Sequence, residues 1–104
     1  MVVKIKVGKK YYFFTFKKTL FSYFAKYRFT KYNLFNNYGK KIGFIELEHG
    51  WLIAYTNSKK DKKLYSNKIG SSSKWSFDSD TEAICYLTEV AETFEFSERE
   101  SIVR

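Results

Sequence analysis

Apolar and polar residues alternate from the start of the chain. Val3, Ile5 and Val7 are separated by Lys4 and Lys6, the period-2 pattern of a strand with one wet face. Gly8-Lys9-Lys10 then supplies a turn, and the aromatic run Tyr11–Phe16 suits a pleated surface. Together these predict an N-terminal hairpin. Residues 18–35 carry two patterns at once. Leu20, Phe21, Phe24 and Tyr27 have helical spacing, with Thr19 available as an N-cap. Tyr27 and Phe29, however, alternate with Lys26, Arg28 and Thr30. We read a short helix over residues 19–27 followed by an extended segment. Residues 36–41, Asn-Asn-Tyr-Gly-Lys-Lys, form a loop by composition.

Two further apolar runs, Ile42–Glu48 and Trp51–Thr56, flank His49-Gly50, a two-residue hairpin turn. In that register Leu47 opposes Leu52 and Ile45 opposes Ala54, and these four form a core face. Phe44, Glu46, Glu48, Trp51, Ile53 and Tyr55 then occupy the other face, and a one-residue change in loop length would exchange the two sets. Residues 59–63 make a charged turn. Leu64–Ile69 predicts a third antiparallel strand after this turn, and Lys74–Phe77 a short fourth. A helix is predicted over residues 80–94. Ser79 and Glu82 have capping-box spacing, and Asp78 and Asp80 place negative charge where the helix dipole favours it. Ile84, Leu87, Ala91 and Phe94 share its apolar stripe, supported by Ala83 and Val90. Residues 97–104 are expected to fray. The fold expected is α+β: one small domain over residues 1–104, with an antiparallel sheet packed against an amphipathic C-terminal helix.

Charge changes this picture from a fold to a surface. The first 45 residues hold 11 Lys and Arg and no acid, together with 14 of the 22 aromatic residues. Residues 1–77 carry a net charge of +14 and residues 78–104 a net charge of −6, within a total of +8. Lys outnumbers Arg by 16 to 3 and Pro is absent, which an AT-rich coding bias would favour. That bias does not explain why acids avoid the first 45 residues, because Asp and Glu codons are not GC-rich. The acidic helix is therefore expected to cover one sheet face and leave a positive surface elsewhere, suited to an anionic partner.

The catalogue of reactive groups is short. Cys85 is the one cysteine, so an intramolecular disulfide and a cysteine-rich zinc site are excluded. Its place in the helix pattern suggests a buried or half-buried small residue. His49, the one histidine, reads as a solvated turn residue. Glu46 and Glu48 point to the same strand face, as metal-binding carboxylates do, but Leu52 and Ile53 follow where a further acid and a Lys would be needed. Pairing with lysines of a neighbouring strand is the simpler reading. No Gly-rich phosphate loop is present: Gly39-Lys40-Lys41-Ile42-Gly43 lacks the spacing. A non-enzymatic protein without a cofactor is expected. Charges interrupt the N-terminus every second residue, unlike a signal peptide. The longest apolar runs, Tyr11–Phe14 and Trp51–Tyr55, fall far short of the ~20 residues needed to span a bilayer. A cytoplasmic location in a reducing compartment is expected.

The basic-aromatic stretches point to nucleic acid. Lysines neutralise phosphates and release counterions, and exposed aromatic rings stack on unpaired bases. The candidate phosphate contacts are Lys9, Lys10, Lys26, Arg28, Lys31, Lys40 and Lys41, and the candidate stacking residues are Tyr27, Tyr32 and Tyr38. Dominance of Lys over Arg favours backbone contact over base reading. The alternative is a small phage or mobile-element protein that binds and inhibits a host protein through an acidic surface, with Trp51 or Trp75 as anchor. Antiparallel strands followed by Trp75-Ser76-Phe77-Asp78-Ser79-Asp80-Thr81-Glu82-Ala83 show a resemblance to three-stranded-sheet-plus-helix DNA-binding domains. In those a Phe precedes an acidic cap and an alanine-bearing helix packed behind the sheet. The resemblance covers residues 43–94, and the run of sheet arginines usual in such domains is absent.

Overall fold

Six strands and one helix make up the described part of the computed structural model, which covers residues 2–17, 30–57, 62–74 and 76–103. The strands are β1 (Val2–Val7), β2 (Lys10–Lys17), β3 (Thr30–Phe35), β4 (Lys41–Glu48), β5 (Trp51–Thr56) and β6 (Lys63–Lys68), followed by α1 (Asp80–Val103). They form one antiparallel sheet in sequence order, β1-β2-β3-β4-β5-β6, a meander in which every neighbour in the chain is a neighbour in space. This is the α+β architecture expected, with the helix behind the sheet. The short helix expected over residues 19–27 lies outside the described residues.

The hairpin at the centre follows the expected register. His49 and Gly50 both take positive φ, 51° and 79°, the requirement of a type I′ turn whose twist matches the strands it joins. Leu47 pairs with Leu52 and Ile45 with Ala54. All four side chains are fully buried. Gly50 is held from the other side as well: its N–H donates to the Lys74 carbonyl at 2.8 Å, and its own carbonyl accepts the Ile69 N–H at 2.7 Å. Those bonds explain why, among the described residues of Lys74–Phe77, where a short fourth strand was expected, none belongs to a strand. The Lys74 backbone is committed to the hairpin turn and to Ser71, and its ammonium to Asp78 and Glu82. Residues 69–74 therefore form a loop after β6, and residues 76–79 lead into the helix.

The capping box forms as expected. Ser79 Oγ accepts the Glu82 N–H at 3.1 Å, and the Glu82 carboxylate accepts the Asp78 N–H at 2.7 Å. The helix then buries Leu87, Val90, Ala91 and Phe94 against the sheet. Ile84 is not part of that stripe. It is half exposed and lies beside Val2 and Val3 at the β1 edge. The helix also runs to Val103 and not to residue 94, so the tail expected to fray from residue 97 is helical. Its last turns have anchors. Glu95 and Glu98 lie 3.2 and 3.7 Å from the Lys10 ammonium, and the Tyr12 hydroxyl donates to Glu95 at 2.8 Å.

The helix packs against both edge strands, β1 and β6. Six strands at about 4.8 Å spacing span roughly 24 Å, more than a helix some 10 Å across reaches when the sheet is flat. The sheet therefore curls around the helix. Gly43 lets it close: a Cβ there would lie 2.9 Å from the Phe94 ring and 2.3 Å from the Tyr55 carbonyl oxygen. Tyr32, Phe77 and Tyr86 seal the inner layer, with ring centroids 5.9 and 6.0 Å apart in sequence.

Candidate nucleic-acid interface

Strand alternation gives the sheet two unlike faces. The inner face holds Ile5, Tyr12, Phe14, Tyr32, Leu34 and the β4–β5 core. The outer face, which the helix does not cover, is built from the residues between them. Cross-strand pairs there include Lys6 with Tyr11, Lys4 with Phe13, Phe13 with Phe35, Phe35 with Lys41, and Phe44 with Tyr55. Lys31 stands opposite Glu46, Trp51 opposite Lys68, and Tyr55 opposite Lys63. Irregular pairing at Leu34/Phe35 and Ala54/Tyr55 restores the outward direction of Lys41 and Lys63, each a strand-end residue.

Lysines and rings interlock on this face. The Lys4 ammonium sits 4.1 Å from the centroid of the Tyr11 ring, and that of Lys31 sits 4.4 Å from the centroid of Phe44. Lys6 and Lys41 approach the same two rings at 5.9 and 5.8 Å. Phe44 and Tyr55 stack with centroids 5.0 Å apart and planes 21° apart. Lys4, Lys6, Lys31, Lys41, Lys63 and Lys68 share the outer face with Glu46 and Glu48. The positive potential this leaves is the kind that draws an anion in and accelerates encounter. Burial, and then the charges of Glu46 and Glu48, raise the Tyr55 phenol above its ordinary value, so its hydroxyl keeps its proton.

No family model matches the chain, and no curated protein or solved structure matches it either. The site must be read from its own chemistry.

The residues expected from sequence divide into three groups. Lys31 and Lys41 lie on the outer face, Lys9 is exposed in the β1–β2 turn, and Tyr38 and Lys40 are exposed in the β3–β4 loop, with Tyr38 at 90%. In that loop Asn36 Oδ1 accepts the N–H groups of Tyr38 and Lys40 at 2.9 and 3.0 Å, which fixes its tip. Lys26, Tyr27 and Arg28 lie outside the described residues. Two expectations are corrected. Tyr32 is 6% exposed, on the inner face against Phe77, and cannot stack on a base. Lys10 also points to the inner side, where the hydrogen bond and charge of Glu95 raise its pKa. Its ammonium is engaged by Glu95 and Glu98 of the helix.

Lys4, Lys6, Tyr11, Phe13, Phe35, Phe44, Tyr55, Lys63 and Lys68 also lie on this face and are not among the candidates named from sequence. The signal for them was available: strand alternation applied to the basic stretches, which selects every second residue instead of whole runs. Cys85 is exposed on the helix and not buried as expected, since it falls outside the stripe of Leu87, Val90, Ala91 and Phe94. His49 sits in its turn with an exposed ring, 3.7 Å from Glu48. Among the described residues no group of three His, Cys, Asp or Glu side chains could hold a metal ion. Among them, too, no helix is long and apolar enough to cross a membrane.

Proposed function

We propose that this protein binds nucleic acid without catalysis, through phosphate contacts from the outer sheet face and the loops beside it. The observation that carries this reading is the separation of charge across the sheet. Lysines from β1, β3, β4 and β6 share the uncovered face, while Glu89, Glu92, Glu95 and Glu98 belong to the helix on the other side. Lysine is a point charge on a flexible stem and binds phosphates without demanding a particular base edge. Affinity should therefore depend strongly on salt and weakly on sequence. The test is a titration of fluorescent single-stranded DNA, duplex DNA and RNA at two salt concentrations. The expected slope of log K against log salt is about −0.7 per phosphate contacted on a single strand and −0.9 on a duplex. No binding at low salt would sink the reading.

A second reading has one observation in its favour. Trp51 is 43% exposed on the same face, beside Lys68, and tryptophan is a preferred anchor at protein interfaces. An acidic protein surface would fit both residues. Capture of one stable partner from a nuclease-treated lysate, lost with Trp51→Ala, would favour inhibition or modulation of a protein over nucleic-acid binding.

A further inference from the structure

The arrangement of rings and ammonium groups on the outer face bears on which nucleic acid fits it, provided the nucleic-acid reading above holds. Phe44 is set in the middle of β4, and Tyr11 lies near the start of β2. The lysines above them are long and solvated, and a cation over an exposed ring is held only weakly. Phosphate is the stronger partner for such a cation, because a charge-assisted bond outweighs contact with a neutral ring. An arriving phosphate chain would therefore draw away Lys4 and Lys31, the nearer of the two lysines at each ring, and open a face of Tyr11 and of Phe44.

On Phe44 the geometry is specific. Tyr55 of β5 stacks on this ring at 5.0 Å, and Lys31 of β3 lies over it at 4.4 Å. When Lys31 leaves, the uncovered ring is the end of an existing aromatic stack. A nucleobase would extend it as a third member. Paired bases in a duplex present only edges and backbone to a protein surface, whereas unpaired bases offer their faces.

We propose that the outer face takes single-stranded nucleic acid by exchange. Lys4 and Lys31 transfer from the rings of Tyr11 and Phe44 to phosphates, and unpaired bases occupy the rings. No covalent step is involved.

The test compares three labelled probes of equal phosphate number: an oligo-dT of about 15 nucleotides, an abasic strand of the same length, and a duplex. Oligo-dT should bind at least about 25-fold tighter than the abasic strand, about 5-fold for each of two bases stacked on a ring, the lower end of what one contributes. Phe44→Leu and Tyr11→Leu should each remove about 5-fold or more from oligo-dT affinity and leave the abasic strand unchanged. Tyr11→Phe keeps the ring and should bind like the parent, which separates loss of stacking from loss of fold. Lys31→Gln should weaken both single strands equally. Equal affinity for oligo-dT and the abasic strand would overturn the exchange while leaving phosphate binding in place, and so would a preference for the duplex. Failure to bind any probe at low salt would remove the broader reading and this one with it.

Discussion

Leu52 and Ile53 are adjacent in β5, yet they belong to different chemical worlds. Leu52 is fully buried between the sheet and the helix, while Ile53 sits among Glu46 and Ser66 on the uncovered face. The same contrast holds along the whole sheet. On the inner side every buried polar side chain among the described residues has a partner, as dry interiors require. On the outer side lysines rest on rings and keep their charges in water. The helix sharpens the difference by bringing its acids to the inner side, where Glu95 meets Tyr12 and Lys10 and Glu89 meets Tyr65. The charge segregation along the chain becomes a segregation between faces because alternation sorts the strands and the acidic segment folds behind them.

The comparison breaks first if the two faces contribute equally to stability. Leu52→Ala should cost about 2–5 kcal/mol in urea denaturation, the range for deleting a fully buried leucine. Ile53→Ala should cost no more than about 1 kcal/mol, the span of strand propensity at a half-exposed site. Similar losses from both would mean the outer face is also core, covered by something other than solvent. Gly43→Ala should cost about 1–3 kcal/mol by overpacking. Its added methyl meets the Phe94 ring and a backbone oxygen, so the helix must shift. Tyr12→Phe should cost about 1.5–3 kcal/mol, the worth of one hydrogen bond to a charged group, with Lys10 still 3.2 Å from Glu95. Replacing Glu95 by Leu in the same chain should return part of that loss.

Much of the sheet was legible because its determinants are local. The Leu47–Leu52 and Ile45–Ala54 pairing followed from a two-residue turn at His49-Gly50 and from alternation alone, and the helix start followed from Ser79 and Glu82. What escaped was set by distant partners. Nothing near residue 95 in sequence shows that Glu95 will be buried; the reason lies in Lys10 and Tyr12, more than 80 positions away. The same contacts carry the helix past residue 94. Tyr32 stands in a basic run, where composition points to the surface but strand direction decides. Its neighbour Lys31 faces out, so Tyr32 must face in. Applied to the N-terminal hairpin, the same rule puts Lys4, Lys6 and Tyr11 on the outer face and turns Lys10 and Tyr12 inward.

High pH probes the inner hydroxyls. Burial, and next the hydrogen bond to Glu89, push the Tyr65 phenol from 10.0 up to about 12. The unfolded chain loses this proton first, so above pH 10 it binds fewer protons than the folded chain, and stability falls as pH rises. The contribution is complete below pH 10 and is lost between pH 10 and about 12. Tyr12, raised by burial and by Glu95, extends the loss in the same direction. Unfolding midpoints measured across this window should decline less steeply in Tyr65→Phe than in the parent. An unchanged slope would detach the inner hydroxyls from alkaline stability.

The smallest stability effect belongs to Lys31→Gln. The side chain is half-exposed, over Phe44 and opposite Glu46, and removing its charge should move the unfolding free energy by no more than about 1 kcal/mol, the usual limit for a surface ion pair. If the outer face is a phosphate-binding surface, the same substitution should lower the salt slope of binding by about 1, the contribution of a single lysine contact. A residue nearly silent in folding and visible in salt dependence is what an uncovered face held ready for a ligand predicts. A Lys31→Gln chain that lost stability but kept its salt slope would instead make the lysines on these rings part of the fold, holding an exposed aromatic surface in solution.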